Sequence, residues 1–165
     1  MAASTTVKVR RDGTITLLDG AANTFIVSYE DGNFSADLLG ADDDEIIIRD
    51  RGEIVGLRKG DSQAGSLSWS VHLRELTNGS ADVILDFING NGGASGALTS
   101  TGGTGYEQFL LDIKLDIEGT DHGESADGSA TFAKCLIRAD MSEGDPDVLN
   151  FSATVLGGVT KTGQA

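Results

Sequence analysis

The chain has 165 residues and a mass of 17.1 kDa, enough for one domain with a sizeable core. Its 39% apolar and 23% charged residues are those of a folded chain, not a disordered one. Twelve Lys and Arg against 26 Asp and Glu leave a net charge of −14, which repels phosphate and argues against nucleic-acid or anionic-lipid binding.

Other global features narrow the class further. One cysteine excludes an intramolecular disulfide and a cysteine-based zinc site. No apolar run approaches the roughly 18 residues of a membrane span. The start, Met1-Ala-Ala-Ser-Thr-Thr, lacks a basic region followed by an apolar core, so no signal peptide is expected. The product is expected to stay in a reducing cytoplasm or to leave by lysis. Glycine occurs 23 times and proline once, a composition that suits many short strands joined by tight turns. The acid is uneven: residues 61–165 hold fifteen acidic and five basic side chains, and so carry most of the net charge.

Taken in order, the elements are mostly strands. Val7–Arg10 alternates and closes at Asp12-Gly13. Thr14–Leu18 stops at Asp19-Gly20, and Thr24–Tyr29 stops at Asp31-Gly32, a pattern that predicts a meander of small hairpins. Phe34–Leu39 is a further short strand. Asp42–Glu45 reads as a solvated acidic loop, with Glu45–Arg49 a strand after it. Gly52 and Lys59-Gly60 bracket a strand over Glu53–Arg58. From Ser66 to Arg74 the alternation is clearest: Leu67, Trp69, Val71 and Leu73 share one face, and Ser66, Ser68, Ser70, His72 and Arg74 the other. Ser80 is placed to cap one helix over Ala81–Ile88, with Val83, Ile84, Phe87 and Ile88 on one stripe. A glycine-rich loop spans 90–105. Leu111, Ile113, Leu115 and Ile117 then alternate with Asp112, Lys114, Asp116 and Glu118. Ala130–Asp140 and Val148–Leu156 form a closing pair about the turn Glu143–Pro146.

No constellation carries the chemistry of an enzyme. Asp42, Asp43, Asp44 and Glu45 lack the spaced ligands and turn glycine of a calcium loop. Asp121, His122, Glu124 and Asp127 are denser, but Gly119, Gly123 and Gly128 make that segment a turn-rich connection; whether a metal ion sits there stays open. Cys135 lies in an apolar strand, the setting of a buried inert thiol. The glycines of 90–105 match neither phosphate-binding pattern, and no basic residue lies between Arg74 and Lys114. Trp69 belongs to the apolar face of its strand and reads as core. A small acidic β-rich chain with exposed strand edges is suited to assembly.

Several segments resemble the major tail tube proteins of long-tailed, siphovirus-type bacteriophages. They are Asp12–Leu17, Arg49–Asp61, Gly65–Glu75, Asp86–Gly90, Leu115–Gly123 and Gly157–Gly163, a similarity of order and texture over most of the chain. The resemblance implies a mainly β fold, a two-sheet sandwich or barrel-like domain over 1–165 with one helix alongside, a flexible loop at 90–105 and extended termini. It implies hexameric rings stacked into a tube through which the genome is ejected, in a virion tail made in the host bacterial cytoplasm. Implied partners are further copies of the chain and the tape measure, tail terminator and baseplate or tip proteins. DNA passes without being bound, and no cofactor, enzyme activity or membrane is implied. A conduit wall of carboxylates and hydroxyls repels a polyanion at short range. The expected lumen-facing residues are Ser66, Ser68, Ser70 and His72 on one strand and Asp112, Asp116 and Glu118 on another, with Lys114 pairing to a carboxylate across strands. Expected ring-to-ring contacts lie in loops 40–44, 58–65 and 90–105, among them Asp42, Asp43, Asp44, Lys59, Asp61, Asn91, Thr99 and Thr101. Rival readings are a capsid decoration protein, and the tube of a contractile tail or bacteriocin. A carbohydrate-binding sandwich is disfavoured, because one Trp and two Tyr supply too few exposed aromatics.

Overall fold

The computed structural model describes residues 13–21, 23–27, 33–37, 43–72, 84–90, 108–120, 125–145 and 147–163, and these form ten strands, most of them with alternating apolar and polar side chains, and one short helix. In chain order they are β1 (Thr14–Leu18), β2 (Thr24–Val27), β3 (Ser35–Asp37), β4 (Asp43–Asp50), β5 (Glu53–Ser62), β6 (Gly65–His72), α1 (Ile84–Ile88), β7 (Leu111–Ile117), β8 (Gly128–Ser142), β9 (Val148–Val155) and β10 (Val159–Thr162). The architecture is mainly β, with two antiparallel sheets. Eight strands form one sheet in the order β2-β1-β7-β8-β9-β6-β3, with β10 also paired to β8, while β4 and β5 form a sheet of their own.

The long strand β8 organises the large sheet. Its first part pairs with β7 and β10, and its second part with β9. Between them lies a corner. Both Ala133 and Lys134 fall between the partners of Leu111 and Ile113, so the register shifts by a bulge. Lys134 takes a φ of 54°, and its N–H donates to the Asp112 carboxylate at 2.8 Å. Opposite it, the N–H of Gly157 donates to the Ala133 carbonyl at 2.9 Å. A Cβ on Gly157 would stand 2.7 Å from that carbonyl oxygen, so only glycine fits.

Strands curl about one core. Period-two alternation buries Leu67, Trp69 and Val71 of β6, Leu149, Phe151, Ala153 and Val155 of β9, Ile113 and Leu115 of β7, and Ile15 and Leu17 of β1. Phe34, next to the edge strand β3, lies 6.2 Å from the ring of Phe132 on β8. In a flat sheet three strand spacings would separate them by about 14 Å, so the sheet folds over on itself. Phe34 also meets Trp69, which stacks on Phe151 at 5.2 Å. Phe87 of α1 closes one side of the core against Phe25 of β2.

Local sequence signals place several of these elements and misplace others. β1, β6, β7 and the β8–β9 pair stand where alternation puts them, and Trp69 and Cys135 are core. Among the described residues the meander holds for β1 and β2 but not for β3, which crosses to the far edge and pairs with β6. Asp43 and Asp44 are not in a solvated loop but begin β4, and β5 does not stop at Lys59-Gly60 but continues through Lys59 and Asp61 to Ser62. Gly60 is no breaker: a Cβ there would lie 2.8 Å from the Asp44 carbonyl oxygen, so glycine permits the strands' close approach. Helix α1 is described only from Ile84, and Ser80 to Val83, the strand at 7–10, and the residues Leu73 and Arg74 lie outside the described residues.

Candidate functional site

β4 and β5 form an arm rather than part of the core. They pair with each other and, among the described residues, make no extensive contact with any other element. At about 3.3 Å per residue the ten residues of β5 extend roughly 33 Å. The strands meet at a two-residue turn, Arg51 and Gly52, both with positive φ (49° and 93°), which sets Asp50 opposite Glu53. Such a primed turn carries the right-handed twist of its strands and keeps the hairpin straight.

The arm exposes both faces. Ile46, Ile48 and Asp50, with their partners Arg58, Gly56 and Glu53, form one face. Ile47 and Arg49, with Leu57 and Ile54, form the other. A register shift beside Ile48 and Arg49 leaves Val55 as the extra residue. Ile54 and Leu57 are each 63% exposed, and Ile46, Ile47, Ile48 and Val55 are exposed with them. An exposed apolar surface of this kind marks an interaction site. The sequence signal was present in the unbroken runs Ile46-Ile47-Ile48 and Ile54-Val55, because a strand without alternation is apolar on both faces.

The residues expected to face a lumen occupy two separate panels of the large sheet. Ser66, Ser68, Ser70 and His72 lie on the non-core side of β6, level with Thr154, Ser152, Asn150 and Val148 of β9. They belong to a hydroxyl-rich panel that continues to Arg138 and Asp140 on β8 and Ser35 on β3. Asn33 bonds the Ser70 hydroxyl and so ties β6 to the segment before β3. Asp112 and Asp116 lie on the non-core side of β7, beyond the Lys134 corner, level with Leu18 and Thr14 of β1. Glu118 falls just past the end of β7. Lys114 pairs with Asp116 at 2.7 Å, two residues along its own strand, and not across strands as expected. Its cross-strand neighbours are Thr16 and Thr131, which carry no charge.

Of the expected ring-contact residues, Asp43, Asp44, Lys59 and Asp61 sit near the open end of the arm, where Asp44 accepts a bond from Gln63 and Glu45 stands opposite Lys59. Asp42, Asn91, Thr99 and Thr101 lie outside the described residues.

A shallow groove of about 330 Å³ opens at the end of α1. Ile88, Phe109, Leu136 and Ile137 supply apolar walls, and Arg138 supplies a cation. Gly90, with a φ of 72°, ends the helix by donating to the Phe87 carbonyl at 3.1 Å, and Phe109 packs over it. Beyond Ile137, β8 pairs only with β9 among the described residues.

Asp127, Asp19 and Cys135 belong to the scaffold. Asp127 accepts bonds from the N–H groups of Thr120 and Gly119 and from the Thr120 hydroxyl, which hold its carboxyl below the ordinary value of 3.8. The neighbours once grouped with it, Asp121, His122 and Glu124, lie outside the described residues. Asp19 is fully buried, and burial pushes its carboxyl up. The Asn23 side chain and the N–H groups of Ala21 and Asn23 outweigh that and hold it below 3.8. Cys135 is buried beside Phe132; burial, and then the charge of Asp112, push its thiol up to about 12, far from a nucleophile's range.

Neither a family model nor a curated protein matches the sequence. Solved structures do share its fold. The tube-terminating cap of the anti-feeding prophage is 16% identical, with a TM-score of 0.57 over 99% of this chain and 95% of its own. The sheath/tube terminator of an extracellular contractile injection system, PVC, is 15% identical, with a TM-score of 0.59 over 98% of this chain and all of its own. A chain of the PVC sheath-tube complex is 14% identical, with a TM-score of 0.56 over 99% of this chain and all of its own. At these identities the likeness is one of fold.

Proposed function

We propose that the protein is a structural subunit that self-assembles into the tube of a phage tail or tail-like injection particle. The observation that carries this reading is the arm: a hairpin apolar on both faces, projecting from a fold shared with tube and terminator chains. A monomer gains nothing from solvating six large aliphatic side chains. Copies that cover each other's arms bury them. The edge strand β2, with Ile26 exposed, offers a second site of joining, where a neighbour's sheet can continue the ladder.

A contractile particle is favoured over the siphovirus-type tail, because two of the structures sharing the fold come from an extracellular contractile injection system. The subunit then forms rings of six that stack into a conduit, with sheath, terminator and baseplate proteins as its neighbours. The hydroxyl panel of β6 and the β7 panel with Asp112 and Asp116 are its candidate walls for passing cargo. Such walls offer a polyanion no grip. Negative-stain microscopy of the purified protein is the test. Rings or tubes with a central hole are the expected result, and uniformly dispersed monomers at high concentration overturn the reading.

A further inference from the structure

The acid-tipped face of the arm and the groove beside α1 are complementary, and we propose that the arm of one copy docks in the groove of the next, with Asp50 and Glu53 on Arg138. This rests on the self-assembly reading above and adds the address to which the arm binds.

The arm's face supplies Ile46 and Ile48, then Asp50 opposite Glu53 near its tip. Two carboxylates directly across a ladder repel each other. Arg49 belongs to the opposite face and Arg51 to the turn, and Arg58 shares the face but stands opposite Ile46, four positions back from the pair, so a cation brought by a partner can meet the two carboxylates. Across from Ile48 stands Gly56, where an added Cβ would find only the Ile48 Cδ1 at 4.0 Å. That notch has room for a ring such as Phe109.

The groove supplies the converse. Ile88, Phe109 and Leu136 are apolar, and Arg138 is the one cation among the described residues that line it. A second copy is the occupant, because the apolar and acidic groups that fit the groove stand together on the arm's Ile46–Ile48–Asp50 face. Residues 43–62 hold six acidic and four basic side chains, so the arm is acidic on balance like the rest of the chain, and the attraction is local, between the paired carboxylates of Asp50 and Glu53 and Arg138.

Charge reversal and rescue test the docking. Arg138→Glu alone, and Asp50→Arg with Glu53→Arg alone, should each raise the concentration needed for assembly by about tenfold or more. Combined, they should restore it toward that of the parent chain. All three positions are exposed, so circular dichroism and melting should stay unchanged. Assembly of the Arg138→Glu protein at the parent concentration, or no rescue in the combination, overturns the docking while the tube reading stands. A chain carrying both Glu53→Cys and Arg138→Cys gives an independent readout, because Cys135 is buried and its thiol is unreactive. Mild oxidation should produce a ladder of covalently joined copies. A missing ladder counts against the docking, and a ladder from protein that never forms tubes supports the docking and overturns the tube.

Discussion

β6 and the β4–β5 arm are built from the same kinds of residue and meet opposite fates. In β6, Leu67, Trp69 and Val71 alternate with serines, so one face packs into the core and the other stays wet. In the arm, aliphatic residues follow one another directly, so both faces are apolar, and neither is covered by the body. A strand's alternation tells where its own chain supplies cover. Loss of alternation in an exposed strand marks cover that must come from elsewhere.

That contrast is sharpest under single substitutions. Phe132→Ala empties the centre of the core and should cost about 3–5 kcal/mol in thermal or denaturant unfolding. Ile48→Asp on the arm should leave unfolding within about 0.5 kcal/mol of the parent chain and abolish assembly seen by sedimentation. Equal loss of stability from both would show that the arm belongs to the monomer's core after all.

A smaller effect is expected at the β1–β2 turn. Asp19→Ala leaves the N–H groups of Ala21 and Asn23 without their acceptor, a loss of about 1–3 kcal/mol. The same carboxylate makes the body acid-sensitive. Its folded pKa lies below 3.8, so the unfolded chain binds the proton first as the pH falls. Its contribution is complete above 3.8 and drains away as the pH drops through the lowered value, with Asp127 acting in the same direction. Asp19→Asn keeps an acceptor for the turn but loses the charge, and melting curves of that variant should fall less steeply below about pH 4.

The smallest effect is expected at the corner of β8. Lys134 holds a left-handed conformation unfavourable for any side chain. Lys134→Gly removes that strain but frees the unfolded chain, so stability should rise by no more than about 1 kcal/mol. A β-branched residue there, Lys134→Val, should destabilise.

Much of the body was legible because its strands are half-buried, and half-burial writes period two into the sequence. β1, β6, β7 and the β8–β9 pair are examples. The candidate assembly site was harder to read. Asp43 and Asp44 look like loop residues, and Lys59-Gly60 looks like a stop, because charge and glycine lower local strand propensity. In the hairpin, cross-strand pairing carries both segments through, and Gly60 is required by the nearness of Asp44. The groove had no local signal at all, since Ile88, Phe109 and Arg138 are distant in sequence.

By itself the sequence determined the secondary-structure class, the inward and outward faces of the long strands, the inert setting of Cys135 and a net charge of the same sign as phosphate. These follow from side-chain chemistry and near-neighbour spacing. Only the tertiary structure decided that β3 crosses to the far edge, that the sheet turns its corner at Lys134, that β4 and β5 leave the core as an arm, and that a groove with one arginine forms beside α1. Those depend on which distant segments pair and on how a bulge bends the sheet, and contacts between residues far apart in the chain leave no periodic trace along it.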